Sequence, residues 1–196
     1  RHGKECGCGD TGTMWVSDQI DRAGLSSLNT KTSHGVEAAL RPRCELGDAS
    51  QWLETDDDEQ ALLHVPFKEA INLKSVSMAS FGDATPRVVK LFTGQVGGFD
   101  EVEDMEADEE FEMPVPDQPG DTFEHEIRSD KFRQARSVTL FIENNHGGET
   151  TKVGWLGFKG ERTLIKFGIV ENAEYETRPE GQLFEGGHVS DRQKMI

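Results

Sequence analysis

An all-β chain folded as a jelly-roll β-sandwich with one short N-terminal helix is what this 196-residue sequence predicts. Apolar side chains recur at every second position in short runs between Ala61 and Val170, the period of a strand with one buried face. Gly, Asn and Pro punctuate those runs, and helical spacing is scarce. Several strands with little helix imply two packed sheets or a closed barrel. An open edge or face invites aggregation, so jelly-roll or Greek-key closure is the expected solution.

Residues 1–13 are Gly-rich and polar and predict a flexible arm. From Met14 to Leu25, Val16, Ile20 and Ala23 fall at helical spacing and Gly24 supplies a stop; this is the expected helix. Leu28 to Ser50 has no regular apolar period and predicts a loop across the domain. Ala61 to Phe67 is β-inclined, with Pro66 marking a strand end or an edge. Ile71 and Leu73 alternate with polar neighbours, while Val76 and Met78 are out of phase with them. One extra residue near Ser75, a β-bulge, restores a single inward face.

Arg87 to Phe92 predicts a further strand. Asp100 to Glu112 carries nine carboxylates and no base, which predicts a solvated loop or a partner-facing surface. In Ser137 to Glu143, Val138, Leu140 and Ile142 share one face, and Asn144 to Gly148 is turn chemistry. Thr150–Phe158 and Thr163–Val170 predict two more strands. The domain is expected over 14–178, followed by a flexible tail over 179–196.

A net charge of -16 argues against nucleic acid or an anionic membrane as partner, since both carry phosphate charge. No stretch approaches the roughly 20 apolar residues of a membrane helix, and Arg1 to Lys4 shows no secretion signal. Three cysteines do not make a disulfide framework. The expectation is a reduced cytoplasmic protein, also nuclear, and monomeric outside any complex.

No catalytic constellation stands out, because Gly-x-Ser-x-Gly is absent and the six histidines are scattered. No cofactor is expected. Cys6 and Cys8 with His2 offer two thiolates and an imidazole, but the Cys-x-Cys spacing is weak for a metal centre and a disordered arm is the favoured reading. The cluster Glu54, Asp56, Asp57, Asp58 and Glu59 lacks the Gly turn of a calcium loop and is expected to cap loop amides. His64 is expected to be a hydrogen-bonded structural residue. Among partner-binding candidates, Trp52 lies in loop sequence before the acid cluster and suits a hot spot. Arg128, Lys131, Arg133 and Arg136 form the clearest basic segment, meeting either a partner or the chain's own acids. Phe184 and His188 are anchors in the tail.

Leu53 to Phe67, with its acidic-to-strand transition, resembles the signature of PITH domains. Val89-Lys90-Leu91-Phe92, Ser137 to Glu143, Glu149 to Val153 and Gly157-Phe158-Lys159-Gly160 continue the same order of landmarks, and Ile20-Asp21 and Leu28-Asn29 resemble the family's opening segment. The resemblance implies a galactose-binding-like jelly roll and a non-enzymatic adaptor or regulator contacting the 26S proteasome. Lacking a Cys-x-x-Cys pair, the chain is similar to the stand-alone branch rather than the thioredoxin-linked one. Alternatives are a structural subunit of a cytoskeletal or ciliary assembly, and a sugar-binding jelly roll.

Overall fold

Pro66 divides the longest extended run of the protein into two segments with different neighbours. The computed structural model describes residues 14–46 and 50–163, which lie within one compact unit. In chain order the strands are β1 (Met14–Trp15), β2 (Ser26–Leu28), β3 (Leu53–Glu54), β4 (Ala61–Ala79), β5 (Pro86–Thr93), β6 (Glu109–Glu112), β7 (Thr122–Glu126), β8 (Ala135–Asn145), β9 (Lys152–Val153) and β10 (Trp155–Arg162). Helices α1 (Val36–Ala39) and α2 (Phe99–Asp104) are short, and 3-10 turns make up most of the remaining helical structure.

The strand pairings are antiparallel. Residues Ala61–Pro66 of β4 run between β2 and β8, and β8 leads on to β5 and β6. Residues Ile71–Ala79 run between β10 and β7, with β1 beyond β10. Proline has no N–H for the ladder, and the register with β8 breaks between Pro66 and Ile71. So Pro66 ends a pairing inside a continuing strand, where the sequence suggested a strand end or edge. The curled sheet closes on one core: Leu63 and Val65 from the first segment and Val76 and Met78 from the second join Leu140 and Phe158. Each such side chain contributes roughly 1.5–3 kcal/mol by leaving water.

The predicted bulge is present. Lys159 faces Ser75 and Gly160 faces Leu73, leaving Lys74 unmatched on β4. That extra residue lets Leu73 and Val76 both reach the core.

Other expectations are corrected. In place of a helix over Met14–Leu25 stand β1 and two 3-10 turns, Ser17–Gln19 and Arg22–Gly24. The backbone there is claimed by the sheet: Val16 N–H donates to the Phe158 carbonyl at 3.0 Å and Asp21 N–H to the Pro66 carbonyl at 2.9 Å. The expected loop over Leu28–Ser50 includes α1, which buries Val36 and Ala39. Asp100 to Glu112 is no loop, since it spans most of α2 and all of β6. Val102 of α2 is buried with Leu62, Phe92 and Phe141, and Phe99 packs on that cluster. The run Thr150–Phe158 is split at Gly154, whose N–H bonds the Ala79 carbonyl at 2.8 Å. The strand expected at Thr163–Val170 lies, but for Thr163, outside the described residues.

Candidate interaction surface

Trp52 stands just before β3, its ring held by a hydrogen bond and a stacking contact. Its indole N–H donates to Glu54 Oε2 at 3.0 Å. His34 stacks on it with centroids 4.4 Å apart, and Lys152 Nζ lies 5.8 Å from the ring centroid. Glu54 is the hub: it also accepts from Lys31 at 2.7 Å and from Thr150 Oγ1 at 3.3 Å. The Lys31 and Trp52 donors, with Lys152 nearby, hold its carboxyl down to about 2 against the opposing effect of burial. The segment is fastened from behind by buried Arg41, which donates to the carbonyls of Gln51 and Gly154 at 3.1 and 2.7 Å.

Trp52 lines a cleft of about 300 Å³ together with Phe81, Pro119 and Lys152. Phe81 is 56% exposed, an unusual position for a Phe side chain. Ser80 Oγ donates to the Lys152 carbonyl and ties the end of β4 to β9. Gly82 then takes φ +73, which turns the chain immediately after Phe81. No periodicity marks Phe81 as functional; the one signal is an aromatic residue directly before a turn glycine.

The basic segment is partly spent within the molecule. Lys131 Nζ lies 2.6 Å from Asp108 and Arg133 is 2.8 Å from Asp130. Burial pushes the Asp108 carboxyl up, but hydrogen bonds from Lys131 and the Thr93 N–H outweigh it and leave the group below its ordinary value. Arg128 and Arg136 are exposed and make no side-chain ion pair among the described residues. Nearby, Glu109 accepts from the N–H groups of Arg128 and Ser129 and lies 3.0 Å from His125 Nε2. His125 in turn stacks on Phe111, joining the edges β6 and β7.

A second concavity, of about 720 Å³, opens beside β1. Met14, Ile20, Ala23 and Pro42 supply apolar wall, and Arg22, Arg43 and Lys68 supply charge. Trp15 on its border meets the edge of buried Trp155 at 5.3 Å between centroids. The Arg43 guanidinium and Lys159 ammonium each lie 4.8 Å from the Trp15 ring centroid.

Within the acid cluster Asp58 acts as the expected loop cap, whereas Glu54 binds Lys31 and Trp52 instead. Asp58 accepts from the Gln60 N–H and from Asn29, whose own oxygen accepts the Asp57 N–H. His64 is buried, with Nδ1 3.2 Å from Thr139 Oγ1, and burial lowers its pKa below the usual 6.5. Among the described residues no group of three or more His, Cys, Asp or Glu side chains could hold a metal ion, and no helix is long and apolar enough to cross a membrane. His2, Cys6, Cys8, Phe184 and His188 lie outside the described residues.

The PITH domain family model matches residues 8–179. PITH domain-containing protein 1 of Homo sapiens is 29% identical over 81% of this chain and 74% of its own length. PITH domain-containing protein CG6153 of Drosophila melanogaster is 27% identical over 82% of this chain and 75% of its own length. Thioredoxin-like protein 1 of Schizosaccharomyces pombe is 28% identical over 72% of this chain, a match spanning 49% of that protein. Among solved structures, the family 32 CBM from C. perfringens NanJ in complex with galactose superposes with a TM-score of 0.51 at 10% identity, covering 75% of this chain and 98% of that chain. The CBM32-1, CBM32-2 and M60 catalytic domains of Clostridium perfringens ZmpB give 0.55 at 12% identity, covering 76% of this chain and 15% of that chain. At such identity the likeness shows the fold: a galactose-binding-like jelly roll.

Proposed function

Because the chain belongs to the PITH domain family, we propose that it is a non-enzymatic docking module for the proteasome, anchored through the Trp52–Phe81 cleft. The observation that carries this reading is the pairing of a restrained indole with a Phe side chain 56% exposed to water. Binding hot spots favour large, rigid aromatic groups, since little conformational freedom remains to be lost on contact. A segment matching 49% of Thioredoxin-like protein 1, and most of proteins named for the domain alone, supports an attachable part rather than half of an active site. The same reading carries the expectation of a cytoplasmic and nuclear protein that is monomeric outside its complex.

Affinity capture from lysate tests it. The tagged chain is expected to enrich proteasome subunits at low and moderate salt. Phe81→Ser is expected to cut capture about tenfold, the loss of one modest hot spot, with Tm unchanged. Absence of enrichment at both salt levels overturns the proteasome assignment; unchanged capture by Phe81→Ser overturns the cleft.

A further inference from the structure

The groove beside β1 is a different kind of surface, and we propose that it binds an acidic peptide segment carrying one bulky apolar side chain. Its volume of about 720 Å³ is ample for a single large side chain with its backbone. The wall that would receive that side chain includes the apolar residues Ile20, Ala23, Pro42 and Met14, the last of which is 48% exposed.

Charge decides the rest. Arg22 donates to the Leu40 carbonyl at 2.8 Å, and Lys68 to the Asp18 carbonyl at 2.9 Å. Arg43 lies over the Trp15 ring. All three cations are exposed, and these partners are neutral, so each side chain is positioned while its charge is left uncancelled. Of the two lining carboxylates, Asp18 is paired with Arg162, while Asp21 caps the neutral Ala23 N–H and keeps its charge, so three cations face one uncancelled acid. Glu124, the acid that Arg43 feels at longer range, is bound by Lys159 and Ser75.

Local excess of positive charge is the opposite of the chain as a whole, which has 37 acidic and 21 basic residues. A solvated face drawn from that composition would be negative. A long polyanion would meet the full charge of -16. A few acidic residues seated within the groove would feel mainly the nearest charges, where three cations outnumber Asp21, because at physiological salt the screening length is about 8 Å. A short acidic segment is therefore the occupant that the charges favour over a nucleic acid, and the apolar wall supplies what simple anion binding lacks.

Fluorescence anisotropy with the intact protein tests this. Labelled peptides carry a single Phe, Leu, Trp or Tyr between two Asp-Glu pairs; the controls replace the apolar residue by Ala or the acids by Lys. Saturable binding of at least one acidic apolar peptide is expected, weaker with added salt and at least about tenfold weaker for both controls. Arg43→Glu and Lys68→Glu, both at exposed positions, are each expected to weaken it by about tenfold while Tm holds. Phe81→Ser is expected to leave it unchanged, which separates this groove from the proteasome-directed cleft. The proposal is overturned if none of the acidic peptides binds, if the Ala or Lys peptides bind as well, or if both charge reversals are silent. Sedimentation supplies one further outcome against it: self-association of the wild type that Arg43→Glu abolishes makes the groove a contact between copies.

Discussion

Trp15 and Trp52 are both half-buried indoles approached by cations, yet they are restrained in opposite ways. Trp52 is held by a carboxylate, and the lysines that gather there, Lys31 and Lys152, gather on the same Glu54. There each cation faces a carboxylate. Trp15 is held by packing against Trp155 and by two cations over its ring. Of those two, Lys159 is neutralised by Glu124 at 2.7 and 2.8 Å, whereas Arg43 has no carboxylate bonded to it among the described residues. A carboxylate-centred anchor is rigid and sensitive to acid. An anchor built on packing resists acid and leaves charge for a partner.

Substitution of the glycine beneath Trp15 breaks this contrast most severely. A Cβ on Gly157 would stand 2.2 Å from Trp155 Cη2 and 2.9 Å from Trp15 Cζ3. Trp155 is buried and its N–H is committed to the Arg41 carbonyl at 2.9 Å, so the ring has nowhere to go. Gly157→Ala is expected to cost about 3 kcal/mol or more, the upper range for overpacking, read from the urea midpoint at constant m. A loss under about 1 kcal/mol would mean that Trp15 and Trp155 yield together and that the packing anchor is soft.

Removal of the charge at Glu54 comes next and sharpens the difference in pH response. Its folded pKa is depressed, so its contribution is complete above the unfolded value near 4.5 and is lost as pH falls towards about 2. Lys31, the first of its donors, is 35% exposed, so solvent screening cuts the contribution to roughly 1 kcal/mol at neutral pH. Glu54→Gln is expected to lose most of that at pH 7 and to flatten the acid limb between those values. His64 acts in a separate window. Burial lowers its pKa, so its neutral form favours folding at higher pH and stability declines as pH drops below the ordinary 6.5. His64→Gln is expected to remove that earlier decline and keep the later one, in urea titrations at stepped pH.

How far these features were legible depends on whether short-range pattern or tertiary pairing decided them. Val138, Leu140 and Ile142 alternate cleanly, and β8 is where they place it. The phase change between Leu73 and Val76 revealed the bulge because a strand has a fixed period. The run Met14–Leu25 misled because helical spacing of three apolar residues was satisfied equally by chain that hands its N–H groups to Phe158 and Pro66. Nine acids concealed α2 and β6, whose apolar residues are just Phe99, Val102 and Phe111. Strand β7 was invisible, since Phe123 and His125 are its only half-buried side chains and its partner lies far along the chain. Trp52 could be picked out as an indole in a loop. Phe81 could not, because what makes it notable is its exposure beside Trp52, a relation that exists only once β4 and β9 are joined.

The smallest effect is expected at Lys131, and it decides whether the basic segment follows the Trp52 pattern or the Trp15 pattern. Lys131 is exposed, and its link to Asp108 is short but open to solvent on the lysine side. Asp108 keeps the Thr93 N–H at 2.7 Å when the lysine is removed, so no carboxylate is orphaned. Lys131→Ala is accordingly expected to lower the urea midpoint only slightly, the loss vanishing as salt is raised. If that small loss is all that happens and proteasome capture is intact, the charge is consumed internally, as around Glu54. Capture that falls in the variant while stability holds would instead make the segment, with Arg128 and Arg136 beside it, a surface that keeps its charge for a partner. The two outcomes separate cleanly because an exposed ion pair contributes too little to folding to disguise a change in binding.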